Sequence, residues 1–142
     1  MPIADTSFLI DLMRKDPGAC TCYSNYEKRG IALFTTAITA LELYKGASIS
    51  KDRENIIKVK AILELFPVLP LDEAIYEPFG KIAAGLCSTG NPIGDFDEVI
   101  AAIALCNDKE IITRDRHFEK IQNLTVISYS CLLYTSPSPR DS

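Results

Sequence analysis

The stretch MPIADTSFLI, residues 1–10, places a carboxylate where a short apolar segment gives way to a helical pattern. Ile3 and Ala4 read as a short strand that enters a core, and the apolar residues that follow Ser7 favour a helix. An ionised Asp5 at such a junction is costly unless it is hydrogen-bonded, paired or bound to a metal. Asp5 therefore requires partner groups from elsewhere in the chain.

Short apolar runs alternate with longer helical patterns along the chain. The runs that predict strands lie at 3–4, 31–34, 68–71, 110–113 and 124–129. The patterns that predict helices lie at 7–14, 18–29, 35–46, 51–66, 72–87 and 97–107. Because such alternation requires right-handed crossovers, it predicts an α/β fold of three α/β/α layers around a mainly parallel central sheet.

Three details of the helices follow from local chemistry. Thr35 or Thr36 can cap the third helix and Gly46 can end it. Asp72 can cap the fifth helix. Pro78 falls inside that helix, where it removes a hydrogen bond and is expected to bend the axis.

Length and composition indicate one soluble domain. The chain has 142 residues, of which 47% are hydrophobic and 24% charged, and this length suffices to bury a core without disulfides. We expect the domain to span residues 1–129. The remainder, SCLLYTSPSPRDS at 130–142, is rich in Ser and Pro and shows no core face, which predicts a mobile tail.

Charge and cysteine usage exclude several classes of protein. The net charge of −4 argues against a general nucleic-acid binder, although an acidic metal site in a nuclease would lower the total. Five cysteines without a C-x-x-C pair, and a single histidine, disfavour a zinc site or a Ser/Cys triad. We therefore interpret the cysteines as free thiols, and expect His117 to form a loop or capping hydrogen bond rather than a catalytic contact.

The sequence also gives an expectation about location. The start lacks a basic segment, and Asp5 and Asp11 interrupt its apolar run, so no secretory signal is indicated. The longest apolar stretch, 99–106, is too short to cross a bilayer. A cytoplasmic protein without membrane association is expected.

Four acids fall at corresponding places in the α/β pattern: Asp5, Glu42, Asp97 and Asp115. Each lies at the end of a predicted strand or in a helix that follows one, and parallel sheets place their ligand sites there. Each also has a simpler interpretation. Asp5 could cap the first helix, Glu42 could be a solvated helix residue, Asp97 could compete with Asp95 as an N-cap, and Asp115 could belong to a charged loop.

Four converging carboxylates would repel one another, since a nearby like charge disfavours ionisation. A divalent cation removes that conflict. A site made only of carboxylate oxygens favours Mg²⁺ or Mn²⁺ over zinc, which prefers nitrogen and sulfur ligands. The sequence thus suggests that Asp5 is a metal ligand.

Four segments carry a family resemblance: ADTSFLIDL, ALELYKG, PIGDFDEVIAAIAL and IITRDRHFEKI. In this order and spacing they resemble the signature segments of PIN-domain proteins, particularly the VapC-type toxins of prokaryotic toxin–antitoxin pairs. The resemblance runs from residue 2 to about residue 129. It implies metal-dependent endoribonuclease activity, Mg²⁺ or Mn²⁺ as cofactor, an RNA substrate, a cognate antitoxin and a homodimer.

The resemblance also implies roles for individual residues. It assigns the acidic site to Asp5, Glu42, Asp97 and Asp115. Asp97 is preferred over Asp95 because it stands in the D-x-x-I-A-A register, and Asp95 is kept as an additional ligand. Hydroxyl positions that orient acids or water in such proteins match Thr6, Ser7 and Thr113.

Three cations lie close in sequence to the proposed acids: Lys45, Arg114 and Arg116. We expect them to form a rim that contacts RNA phosphates. Surface cations in local salt bridges are the alternative for each.

Two other functions compete with the nuclease. In a Mg²⁺-dependent phosphatase or phosphoacceptor, Asp5 would be a nucleophile, but such sites need a second acid beside it, and ADTS has none. An inactive scaffold that binds RNA or protein is the other alternative. All four acids are present, so the sequence gives no indication of lost activity.

Overall fold

The computed structural model describes residues 1–129, so the predicted tail at 130–142 lies outside the described residues. Six α-helices are found in the described part: α1 (Thr6–Met13), α2 (Pro17–Lys28), α3 (Ala37–Ser50), α4 (Arg53–Leu63), α5 (Tyr76–Ser88) and α6 (Asp95–Leu105). Five short strands accompany them: β1 (Ile3–Ala4), β2 (Thr35–Thr36), β3 (Val68–Leu69), β4 (Glu110–Ile112) and β5 (Thr125–Ile127). Two 3₁₀ turns, Glu73–Ile75 and Arg116–Lys120, complete the order. No helix among these residues is long and apolar enough to cross a membrane.

All strand pairs in the described chain are parallel. β1 pairs with β4 and β4 with β5, while β2 pairs with β3. A bridge between Ile3 and Phe34 joins the two groups, giving the order β3–β2–β1–β4–β5. The parallel central sheet predicted from the sequence pattern is confirmed.

Helices cover both faces of this sheet. Neighbouring residues of a strand point to opposite faces, and Ile3 and Ala4 accordingly belong to two different apolar cores. The core that contains Ile3 includes residues of α5 and α6, and the core that contains Ala4 includes residues of α1, α2 and α4. α3 contributes to both, through Ile38 on one side and Leu43 on the other. The three layers of the predicted fold are therefore present.

The second strand lies later in the chain than the apolar run at 31–34 predicted. Thr35 and Thr36 make the ladder with β3, and of the predicted run only Phe34 forms a bridge. Both threonines are fully buried, and the fold tolerates this because their hydroxyl groups are hydrogen-bonded. The Thr35 hydroxyl donates to Ala4 O at 2.8 Å, and Thr36 Oγ1 accepts from Thr39 N at 3.1 Å. Thr36 thus ends β2 and caps α3 at once.

The prediction that Gly46 ends the third helix is wrong. α3 continues to Ser50, and Lys51 then takes a left-handed conformation with φ of 60°. Glycine inside a helix costs up to about 1 kcal/mol relative to alanine. Burial of Leu43 and Ala47, on either side of Gly46, offsets that cost.

Pro78 removes no hydrogen bond from α5, because this helix begins later than predicted. Asp72 caps the 3₁₀ turn Glu73–Ile75 instead, and Pro78 becomes the third residue of α5. The N–H groups of a first helical turn have no partner within the helix, so proline removes no helical bond there. The sixth helix likewise begins at Asp95, two residues earlier than predicted, which places Asp97 in its first turn.

Candidate active site

The four predicted acids are carried by elements that meet at one edge of the sheet. Asp5 directly follows β1, and Asp115 comes shortly after the neighbouring strand β4. Glu42 lies on α3, the helix that follows β2, and Asp97 lies in the first turn of α6. Because carboxyl ends of parallel strands share an edge, the topology directs these acids to a common region.

Asp5 is 2% exposed and held by three hydrogen bonds. Its Oδ1 accepts from Ser7 Oγ at 2.7 Å and from Phe8 N at 3.0 Å, and its Oδ2 accepts from Thr113 Oγ1 at 2.6 Å. The bond from Phe8 N makes Asp5 the N-cap of α1, so Asp5 can cap this helix and also belong to the candidate site. Burial raises the pKa of Asp5 to about 6, although the three bonds oppose the shift.

Glu42 is partly buried and bonded to the first residue of α1. The Thr6 hydroxyl donates to Glu42 Oε1 at 2.5 Å. Burial raises the pKa of Glu42, the bond from Thr6 lowers it, and the charges of Asp97 and Asp115 raise it again. Lys45 acts in the opposite direction, which places one predicted rim cation near this acid.

Asp97 has a partner that sequence reasoning missed. His117 Nε2 lies 3.0 Å from Asp97 Oδ2. Burial raises the pKa of Asp97, His117 lowers it, and the charge of Asp115 raises it. The sequence pattern predicted only a loop or capping bond for His117, since no local spacing indicates that residues 97 and 117 meet. Its place two residues after Asp115 was the available signal.

Asp115 connects the set electrostatically. Its negative charge raises the pKa of Asp5, of Glu42 and of Asp97. Asp115 itself precedes the 3₁₀ turn Arg116–Lys120 without a side-chain capping bond. Asp115 thus acts on all three other acids, and Asp97 also acts on Glu42, as expected of neighbouring carboxylates.

The arrangement is not a ready-made metal cage. Within residues 1–129, no group of three or more Asp, Glu, His or Cys side chains is arranged to hold a metal ion. Asp95, the predicted additional ligand, is exposed at the start of α6.

The two predicted arginines of the rim make local ion pairs. Arg114 Nε lies 2.8 Å from Asp11 Oδ2, and Arg116 Nη2 lies 3.5 Å from Glu119 Oε1. Arg116 nevertheless keeps 87% of its side chain exposed, against 44% for Arg114. Arg116 is thus the freer of the two for an outside contact.

Comparisons with known proteins agree with this geometry. The PIN domain family matches residues 3–124. Ribonuclease VapC1 of Methanocaldococcus jannaschii is 32% identical over 130 residues, covering 89% of this chain and 85% of the relative. The tRNA(fMet)-specific endonuclease VapC of Shigella flexneri is 28% identical over 128 residues, covering 89% and 96%.

A solved structure of VapBC-1 from nontypeable Haemophilus influenzae aligns with a TM-score of 0.79 and 29% identity, covering 90% of this chain and 97% of that chain. The parallel sheet, the acids at its edge and these matches lead to one conclusion. The chain belongs to the PIN-domain family, within its group of VapC ribonucleases.

Proposed function

We propose that this chain is the toxin of a toxin–antitoxin pair, an endoribonuclease that hydrolyses RNA phosphodiester bonds with Mg²⁺ or Mn²⁺ at the acids Asp5, Glu42, Asp97 and Asp115. The observation that carries the proposal is the topology that directs these acids to one edge of the parallel sheet, where the negative charge of Asp115 raises the pKa of the other three. Such repulsion is disadvantageous in a site that holds no cation, and a divalent ion offsets it.

The donor chemistry of the site fits Mg²⁺ or Mn²⁺. These ions prefer oxygen ligands, and Mg²⁺ commonly takes only one or two carboxylates and keeps several waters. A site without three closely grouped side chains is compatible with that habit. Asp5 and Asp97 would be direct ligands, Glu42 and Asp115 would hold waters or a second ion, and Asp95 would assist. When bound, the ion supplies positive charge that polarises a phosphoryl oxygen and lowers the pKa of water.

The chain's own residues orient the reacting groups. Ser7, Thr113 and the Phe8 amide fix both oxygens of Asp5, and Thr6 fixes Glu42. In hydrolysis, water attacks phosphorus in line and the bond to the leaving sugar oxygen breaks. A carboxylate of the site accepts the proton that the water releases, and the leaving sugar oxygen takes up a proton from the solvent.

A short cationic rim would guide the RNA backbone to the acids. Lys45 is exposed and acts on Glu42, and Arg116 is largely exposed beside Asp115. Phosphate contacts by such residues add affinity without sequence preference. Arg114 was proposed for the same rim, but its Nε already donates a hydrogen bond to Asp11.

A groove between α1, α3 and α4 supports the proposed antitoxin partner. It encloses about 320 Å³, and its lining includes Ile10, Met13, Leu43 and Val59, with Glu42 among the polar groups. An antitoxin segment with an apolar helical face, and an Arg or Lys that reaches Glu42, would fit this chemistry.

Two further properties belong to the proposal. A homodimer is supported by large apolar side chains that stay exposed, such as Leu41, Tyr76 and Phe96. The cytoplasm is the compartment in which such a toxin meets RNA and its antitoxin.

The test is cleavage of labelled RNA by the purified chain with Mn²⁺, with EDTA, and by two variants. Asp97→Asn is expected to lower cleavage on the order of 100-fold or more, because it removes one charge of the site. Asp52→Asn is the matched control, since Asp52 caps α4 and is not one of the site acids. Cutting that persists in EDTA or in Asp97→Asn would contradict the proposal. Release of phosphate from a small ester without RNA cleavage would favour the phosphatase instead.

A further inference from the structure

Asp11 forms a polar junction with the segment that carries the site residues Thr113 and Asp115. It lies on α1, and its side chain is only 13% exposed. Its Oδ2 accepts from Arg114 Nε at 2.8 Å and also from the hydroxyl of Tyr129. One carboxylate oxygen therefore links α1 to the segment after β4 and to the residue that closes the described chain after β5.

The same segment is also bonded to Asp5, directly through Thr113 and indirectly through Ser7. Arg114 N donates to Ser7 Oγ at 3.2 Å, and Ser7 in turn donates to Asp5. Asp115 N donates to Thr113 Oγ1 at 2.9 Å, and the Thr113 hydroxyl donates to Asp5 as well. The amides of Arg114 and Asp115 thus donate to two hydroxyl groups, which rotate easily, whereas Thr113 N donates to Ile127 O. The ion pair between Asp11 and the Arg114 side chain adds a further bond to this segment.

Tyr129 makes that ion pair rigid. It is 1% exposed, and its ring packs edge-on against Phe8 with centroids 5.0 Å apart. Burial together with Asp11 raises the pKa of Tyr129 above its ordinary value, so the hydroxyl stays protonated and donates. The hydrogen bond that Arg114 donates to Asp11 likewise raises the pKa of Arg114. Without Asp11 the buried Tyr129 hydroxyl could donate only its longer bond to Ser7 O, at 3.4 Å, and this loss opposes movement of the junction.

We propose that Asp11 is a positioning residue of the nuclease: through Arg114 it holds the segment 113–115 so that Asp115 stays beside the other acids. The inference rests on the proposed function, and it assigns Arg114 to an internal bond rather than to phosphate. Asp11 acts on the reaction only through this segment.

The direct readout is amide hydrogen exchange measured by NMR. In Asp11→Asn, the amides of Arg114 and Asp115 should exchange roughly 10-fold faster, because the segment that carries them loses its ion pair with Asp11. The amides of Asp5 and Thr113 should stay within about 2-fold of the parent, since their acceptors are main-chain oxygens of Ile112 and Ile127.

Kinetics supply the second readout. Asp11→Asn should lower kcat for RNA cleavage about 10-fold and leave KM within about 2-fold, since a misplaced Asp115 weakens the transition state more than RNA binding. Arg114→Gln, at a half-exposed side chain, should reproduce both effects. The double variant should be no worse than either single one, because both remove the same bond.

Asp16→Asn is the matched control. Asp16 caps α2 through its side chain, which accepts from Ala19 N, and its main-chain bond to Asp11 O is kept in the variant, so the substitution destabilises a helix without removing a bond of the Asp11 side chain. In Asp16→Asn, kcat and the exchange of the Arg114 and Asp115 amides should match the parent.

Three outcomes would overturn the inference. The first is parent-like exchange and kcat in Asp11→Asn. The second is faster exchange that extends equally to Asp5 and Thr113, which would indicate general loosening. The third is additive loss in the double variant, which would give Arg114 a separate role in binding RNA. If the parent itself fails to cleave RNA, the proposed function fails, whereas the exchange experiment still decides whether Asp11 holds the segment.

Discussion

At the scale of single residues, Asp5 combines a structural and a chemical role. One of its oxygens caps α1 through Phe8 N, and both oxygens receive side-chain hydroxyls. Burial still dominates the balance and raises the pKa of Asp5 to about 6. The group therefore titrates within a pH range where the fold can be measured.

The pH dependence of stability follows from that shift. Well below pH 3.8, the ordinary pKa of Asp5, the folded and the unfolded chain both hold the Asp5 proton. Between pH 4 and about 6 the unfolded chain has released this proton, whereas the folded chain still holds it. The free energy of unfolding should thus fall as pH rises, by on the order of 3 kcal/mol, and level off above about pH 6. Urea unfolding in EDTA at pH 4, 5, 6 and 7 measures it.

Asp5→Asn isolates this contribution because asparagine does not titrate. The difference in stability between Asp5→Asn and the parent should shift in favour of the variant by about 2 kcal/mol from pH 4 to pH 6, which is most of the total change. A difference that stays constant over this range would show that Asp5 is not destabilised by its burial.

The two rim arginines should differ in their response to salt. Arg116 is largely exposed, so Arg116→Ala should flatten the dependence of log affinity for single-stranded RNA on log salt by about 0.7, the value for one lost phosphate contact. Arg114→Gln should leave the slope unchanged, because Arg114 Nε is bonded to Asp11. Fluorescence anisotropy with a catalytically impaired Asp97→Asn background gives both slopes. An unchanged slope in Arg116→Ala would remove Arg116 from the rim.

At this scale the sequence pattern reveals residues that recur beside the ends of strands and helices, but it does not reveal the partners that they meet from distant parts of the chain. Asp5, Glu42, Asp97 and Asp115 are recognisable because each occupies a comparable place beside a strand or helix end. His117 and Asp11 act through residues 20 and 103 positions away. Only the packed chain brings such partners together.

At the scale of elements, neighbours decide where helices and strands end. β2 consists of two buried threonines because Thr35 bonds Ala4 O and Thr36 caps α3. Local apolarity favoured the preceding run instead. α3 passes through Gly46 because its flanking residues pack in the core, an influence that the local C-cap signal does not contain.

Gly46→Ala should therefore stabilise the fold by up to about 1 kcal/mol. A Cβ at Gly46 meets no atom within 4 Å, and the helix needs no positive φ there. Gly85→Ala in α5 is the matched case and should behave alike. Gly30→Ala should instead destabilise, because Gly30 has φ of +69°. Chemical denaturation compares the three, and a loss of stability in Gly46→Ala would show that the glycine itself is required.

At the scale of the whole molecule, strand order places the site. β1 lies between β2 and β4, so the elements that carry Asp5, Glu42 and Asp115 converge. The alternation of strands and helices was enough to predict a parallel sheet between helices. It could not give the register that sets Ala4 opposite Ile112, and with it the bond between Asp5 and Thr113. That register depends on long-range packing.

The central claim is that these acids form one site for a divalent ion, and calorimetric titration with Mn²⁺ near neutral pH tests it most directly. The parent should bind Mn²⁺, and Asp5→Asn should weaken the affinity at least about 10-fold, because it replaces a charged ligand. Asp52→Asn, which alters only the exposed cap of α4, should bind like the parent. Equal affinity in the parent and in Asp5→Asn would contradict the account.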